Sequence, residues 1–303
     1  EEVKTVPSNI EKFEGKSRAY IEIQQGCNHR CTFCIIPYGR GNNRSVPAGD
    51  IIKRINKIVN NGYKEVVLTG VDITDYGKDL PGKPNLASLI KRILEFVPNL
   101  MRLRLSSIDC AEITNDFWPL LLDKKLMPHF HLSLQSGNNL ILKRMKRRHT
   151  REHAIQFCKK VLSLRPDASF GADIIAGFPT ETNEMFVDSL TLIDECNLTH
   201  LHIFPYSPRK NTPASRMPQI DTSEIKKRAK ILRAKGDQNL SNYLIKKIGH
   251  TNQILIESSD LNKSKGKDKQ FVKVEIDQKM MEGKIVNCKY VGIRDNILLA
   301  KIL

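Results

Sequence analysis

The chain has 303 residues, 40% of them hydrophobic and 27% charged, enough for one large domain and one small one with ordinary cores. A net charge of +16 sets it apart from a near-neutral small-molecule protein and points to a polyanion, nucleic acid first; lysine excess from genome composition is the plainer alternative. No apolar run approaches a membrane span, no signal peptide opens the chain, and seven cysteines are too scattered for a disulfide scaffold, so a reducing, cytoplasmic setting is expected.

Residues 1–14 read as a linker remnant ahead of the first strand. Strand patterns follow at 19–24, 65–68, 102–105, 129–134, 170–176 and 200–204, with helix-period stretches at 50–60, 86–96, 151–164 and 184–196. Strands alternating with helices imply right-handed βαβ units on a parallel sheet. Six units predict an α/β fold over residues 15–222, a partial (β/α)6 barrel left open for a large substrate. The proline-rich stretch 205–218 leaves the barrel, and a basic helical connection covers 223–248. From 249 to 303 the pattern is all β: five short strands, with Gly283 and Gly292 at turns, predict a small barrel of oligonucleotide-binding size.

Each barrel strand ends in small or polar residues, and six such endings on one rim describe a ligand-binding face. The first ending is the most informative. Cys27, Cys31 and Cys34 follow strand 19–24 directly. They supply three thiolates to a centre that wants four, which leaves one iron of a 4Fe–4S cluster open for a second molecule. Zinc would need a fourth ligand, and His29 is held too tightly between two cysteines to be an easy one. A disulfide fits the cysteine usage less well. Cys110, Cys158, Cys196 and Cys288 read as small buried hydrophobes.

Residues 226–303 carry eighteen Lys and Arg against eight Asp and Glu, so a quarter of the chain holds most of the charge. Lys263, Lys265, Lys267 and Lys269 are expected on one loop within reach of a phosphate backbone, with Phe271 and Tyr290 as stacking partners unless they are core. A second basic run, 143–149, follows the fourth strand.

The C-x3-C-x2-C triplet after a first strand resembles the radical S-adenosylmethionine superfamily. The runs 31–41, 68–72, 134–137, 145–150, 172–182 and 205–214 further resemble the methylthiotransferases, most closely their tRNA threonylcarbamoyladenosine branch. The isopentenyladenosine branch is the near neighbour, and the C-terminal barrel is similar to that family's TRAM RNA-binding module. By this resemblance Cys27, Cys31 and Cys34 hold the cluster, and S-adenosylmethionine yields a radical that removes hydrogen from C2 of a hypermodified adenosine beside the anticodon. Sulfur and a methyl group follow. Thr69, Gly70, Val71 and Gly177 would approach the cofactor through backbone, Gln135 and Ser136 would bond its ribose, and Arg147 of the second basic run would meet its carboxylate. The implied partners are a tRNA anticodon stem-loop, a reducing electron donor and a sulfur source. The family carries a further N-terminal domain with three cysteines for a second 4Fe–4S cluster, so the expectation is a piece of a longer protein. A competing reading is an iron–sulfur RNA-binding module, although a purely structural cluster would prefer four protein ligands.

Overall fold

The computed structural model describes residues 17–303, and the expected linker at 1–14 lies outside the described residues. The first strand, β1 (Arg18–Gln25), runs into the cysteine loop, a one-turn helix α1 (Ile36–Arg40) and a two-residue antiparallel partner β2 (Arg44–Ser45). In α2 (Ala48–Asn60), Ile51, Ile55 and Ile58 recur on one face and bury it against the sheet. After β3 (Glu65–Gly70), α3 (Leu86–Phe96) starts at a reciprocal cap, Asn85 accepting from the Ser88 amide and Ser88 from that of Asn85. Between β4 (Arg102–Leu105) and β5 (His129–Gln135) the crossover is 3₁₀, over Asn115–Leu122, with Pro119 inside it. Then come α4 (Asn139–Arg144), α5 (Arg151–Leu164), β6 (Ser169–Ala176), α6 (Asn183–Glu195) and β7 (Leu198–Pro205).

The six long strands are parallel neighbours in chain order, with β1–β3–β4 in one sheet and β5–β6–β7 in the other. Single bridges Leu103–Leu126 and Ile108–Leu132 join the two into a half-barrel. The expected partial (β/α)6 barrel is thus present. Its last helix is α7 (Thr222–Ile245), which the sequence reading set apart as a connection. Instead α7 lies against β7, with Gly236 pressed on Leu201 so closely that a Cβ would sit 2.8 Å from that side chain.

Strands β8 (Thr251–Ser259), β9 (Ser264–Lys267), β10 (Lys273–Ile276), β11 (Ile285–Arg294) and β12 (Ile297–Ile302) close into the expected five-stranded barrel. Leu244 of α7 enters its core beside Ile254, Val274, Tyr290 and Leu298. Gly283 is at a turn, whereas Gly292 sits inside β11 where the register against β12 shifts. The four lysines expected on one loop divide. Lys263 precedes β9 and pairs with Glu275, Lys265 and Lys267 lie within β9, and Lys269 follows it. Period two puts both on the outer face of the small barrel, where Lys265 is exposed and Lys267 is half-buried against the half-barrel. Neither proposed stacking ring faces outward: Tyr290 is core, its hydroxyl donating to Asp268 at 2.7 Å, and Phe271 points into the half-barrel.

The two barrels meet across a buried ion cluster. Glu65, fully buried at the start of β3, receives Arg18 and Arg104 at 2.8 Å each and Arg102 at 3.5 Å. Those arginines continue across the junction. Arg18 pairs with Glu257 at 2.5 Å, Arg102 donates to the Gln253 carbonyl at 2.9 Å, and Arg104 donates to the Asp268 and Lys269 carbonyls at 2.7 and 2.9 Å.

Candidate functional site

The cysteine loop leaves β1 at Gly26, whose φ of +67° and close approach to the Asn42 carbonyl (2.0 Å from where a Cβ would stand) admit only glycine. Its anchor is Gln24, a fully buried amide. Gln24 donates to the Gly26 carbonyl at 2.6 Å and to Asn43 Oδ1 at 2.7 Å, and its own oxygen accepts from the Asp72 amide at 2.9 Å. The end of β1 is thereby stapled to the end of β3, and Gly70 is the residue that lets them meet, since a Cβ there would stand 2.8–2.9 Å from Gln24. On the far side of the loop Thr32 Oγ1 donates to the Arg144 carbonyl at 2.8 Å, and the Phe33 ring meets Phe178 edge-on at 6.4 Å.

Cys27, Cys31 and Cys34 are half-buried on this one loop, and none is in a disulfide. Burial pushes the Cys27 thiol up to about 11, with Asp72 and the other two cysteines adding to the rise. Cys34 is raised by burial and Cys31, against the pull of Arg147. A bound cationic centre would displace those protons, as metal binding to thiols does. Arg147 Nη1 lies 3.8 Å from Cys31 Sγ, while Nη2 donates to Asp109 Oδ2 and to the Ser133 carbonyl, both at 2.7 Å. Its Nε is buried without a hydrogen-bond partner among the described residues. Three thiols on one loop beside a buried guanidinium fit an anionic iron–sulfur cluster better than zinc. His29 is taken up elsewhere: its Nε2 reaches Asp72 Oδ2 at 2.8 Å, and although burial opposes it, the bonds to Asp72 and Glu112 raise it to about 9.

The structure brings Thr69, Gly70 and Val71 to the β3 end behind Gln24, beside the loop. Gln135 and Ser136 lie across the half-barrel at the end of β5. Gln135 holds a left-handed φ of +69°, a costly conformation for a side-chain-bearing residue, and the Ser136 hydroxyl accepts from the Asn138 amide at 3.2 Å. Arg147 is among the cations expected at the site: its Nη2 is engaged by Asp109 and the Ser133 carbonyl, while its Nη1 faces Cys31 Sγ at 3.8 Å. Gly177 also has a packing reason to be glycine. Its Cβ side is filled by Ile225 of α7, 2.6 Å away, and its φ is +73°. Three residues escaped the sequence reading: Gln24, Asp109 and His149. Asp109 is the hub of the rim, bonded to Arg147 and 3.6 Å from His149, which also bonds the Leu134 carbonyl. A polar residue ending each strand was the available signal, but nothing local distinguished these three.

A family model described as the radical SAM superfamily matches residues 21–193. The chain is 50% identical over 290 residues to threonylcarbamoyladenosine tRNA methylthiotransferase MtaB of Rickettsia prowazekii, covering 95% of this chain and 68% of that protein. It is 38% identical to the MtaB of Chlamydia pneumoniae, covering 88% of this chain and 62% of that one. The chain belongs to the radical SAM methylthiotransferase family. Against the MtaB of Bacillus subtilis it spans 52% of the relative's length at 39% identity, so it covers about half to two thirds of such methylthiotransferases. Among solved structures, coproporphyrinogen III oxidase (HemN) of Escherichia coli superposes with a TM-score of 0.53 at 14% identity over 84% of this chain and 67% of its own, which supports the radical SAM fold alone. No helix among the described residues is long and apolar enough to cross a membrane.

Proposed function

We propose that this chain carries the catalytic and RNA-binding parts of a tRNA methylthiotransferase that places a methylthio group on C2 of N6-threonylcarbamoyladenosine beside the anticodon. The observation that carries the reading is the three-thiol loop at the carboxyl rim of a half-barrel whose far end is closed by a basic β-barrel. Cys27, Cys31 and Cys34 would hold a 4Fe–4S cluster, and Thr69, Gly70, Val71, Gln135 and Ser136 would hold S-adenosylmethionine across the rim. When bound, this pair supplies radical chemistry, which an aromatic C–H without an acid–base handle requires. The protein's residues do the positioning. Gln24 and Asp72 fix the loop, Phe33 seats it on Phe178, and Arg147, itself held by Asp109, presents positive charge to the sulfurs. Outward lysines of the C-terminal barrel and α7, such as Lys226, Lys230, Lys265 and Lys289, supply the phosphate contacts. A reducing electron donor and a sulfur source complete the reaction. Relatives named tRNA-2-methylthio-N(6)-dimethylallyladenosine synthase match at up to 39% identity, below the 50% of the first relative, so the threonylcarbamoyl substrate is preferred.

The test is anaerobic reconstitution with iron and sulfide, chemical reduction and measurement of 5′-deoxyadenosine formed from S-adenosylmethionine. Product that vanishes in each of Cys27→Ala, Cys31→Ala and Cys34→Ala is expected. Cleavage retained in any of the three would overturn the three-thiolate assignment.

A further inference from the structure

The concave side of the half-barrel encloses a cavity of about 540 Å³, the size of a small-molecule site. It runs from Ser106 and Ser107 at the rim down to Lys267, Phe271 and Val272 of the C-terminal barrel. Four histidines line it: His129, His131, His200 and His202.

Two of the four are neutral, and the hydroxyls beside them assign a tautomer to each. Burial pushes His129 well below its ordinary range and brings His200 to about 3, with nearby Lys267 and Arg104 acting in the same direction. The Ser169 hydroxyl donates to the Gln270 carbonyl at 3.0 Å, so at 2.8 Å from His129 Nδ1 it accepts. The Thr199 hydroxyl likewise donates to the Phe170 carbonyl at 3.1 Å and accepts from His200 Nδ1 at 2.9 Å. Both Nδ1 atoms therefore carry the proton, and both Nε2 atoms are lone-pair acceptors with no partner among the described residues. The other two histidines are already satisfied: His131 Nε2 and His202 Nδ1 donate to one oxygen of Asp173, at 3.0 and 3.2 Å. With that oxygen doubly bonded and Lys267 and Arg104 close by, the trio is a poor cation site.

Lys267 enters from β9. Its ammonium stands 3.3 Å from the centre of the Phe271 ring and forms no ion pair within 4 Å among the described residues. The acidic residues of the lining, Asp237 and Asp295, are exposed at the mouth. Phe271 keeps a left-handed φ of +68° and stacks on His129 at 5.4 Å, so strained backbone is retained to hold this ring in the lumen. The cavity thus offers Lys267 as a half-buried unpaired cation, with the exposed Lys273 beside it, two unpaired acceptors and an aromatic plate. The complementary ligand has a carboxylate, N–H or O–H donors and a flat or apolar body.

We propose that the lumen floor is the specificity pocket for the amino-acid substituent of the target base, Lys267 binding its carboxylate and His129 and His200 accepting from its donor groups. This rests on the methylthiotransferase reading and adds the residues that choose the substrate. A dimethylallyl substituent has neither charge nor donors and would leave all three groups unpaired, the situation by which polar pockets reject apolar analogues.

The experiment is calorimetric titration of the reconstituted full chain with N6-threonylcarbamoyladenosine, its methyl ester and N6-dimethylallyladenosine. The acid is expected to bind about 10- to 100-fold more tightly than the ester, the range for a hydrogen bond to a charged group. Lys267→Met should close that gap and Lys267→Arg should keep most of it. Because the ester probes the wild-type protein, the outcome does not depend on a variant folding. Equal affinity for acid and ester, or a gap that survives Lys267→Met, would overturn the pocket. Methylthiolation of threonylcarbamoyl RNA with equal acid and ester binding would sink the pocket and spare the enzyme reading, whereas modification of dimethylallyl RNA alone would sink both.

Discussion

Arg147 is placed by Asp109 so that its charge falls on the sulfur of Cys31, and both partners are nearly buried. Burial opposes ionisation of Asp109, yet its bonds to His149 and Arg147 hold it down to about 2, so the pair stays charged at neutral pH. A guanidinium beside a thiolate-ligated cluster favours the more negative, reduced state. Arg147→Met is therefore expected to bind a full complement of iron and sulfide while its reduction potential becomes more negative. Redox titration followed by electron paramagnetic resonance checks this, and an unchanged potential would show that the charge is spent wholly on Asp109. The triplet itself was readable because three thiols at this spacing are a local pattern. Arg147 was named from its basic run, but its true neighbour was hidden, because which cation reaches the sulfurs is decided by Asp109, 38 residues away along the chain.

At the scale of elements, α7 seals the half-barrel through two small residues, Gly177 and Gly236. Gly177→Ala must fit a Cβ 2.6 Å from Ile225 at a φ of +73°, and overpacking of this kind costs about 1–3 kcal/mol. The loss should appear as a lower denaturation midpoint. Adding Ile225→Ala to Gly177→Ala should recover the steric part but not the backbone part; no recovery at all would mean that strain at φ carries the whole cost. Helix and strand positions were largely legible, since 86–96, 102–105 and 151–164 coincide with observed elements. The periods are strong there because one face is apolar and the other wet. The short α1 and α4 were not legible, being one or two turns held by the cysteine loop and the Asn138 cap. In β4, Arg-Leu-Arg-Leu, all four residues are buried although two are arginines. Its polar side faces the second barrel, and no local pattern announces a partner domain.

That junction governs the whole molecule. Glu65 is the shared counter-ion of Arg18, Arg102 and Arg104, and those arginines bond carbonyls and a carboxylate of the C-terminal barrel. The cluster ties the half-barrel to the segment that carries the floor of the lumen, since Arg104 donates to the Asp268 and Lys269 carbonyls between Lys267 and Phe271. Burial works against the Glu65 charge, but Arg104 and Arg18 outweigh it and lower its pKa to about 2. A carboxylate depressed on folding stabilises the folded state fully above its unfolded pKa of about 4.3, and that contribution is lost as pH falls toward 2. Glu65→Gln removes the counter-ion from three buried guanidinium groups, a change expected to cost about 3–5 kcal/mol at neutral pH. The variant should also lose stability less steeply than the wild type between pH 4.5 and 2, because it has no charge left to neutralise there. Calorimetry across that range checks both parts. Two separate transitions in the variant would show the barrels unfolding independently once the latch is broken, and a single unshifted transition would show that α7, packed into both, holds them together without it.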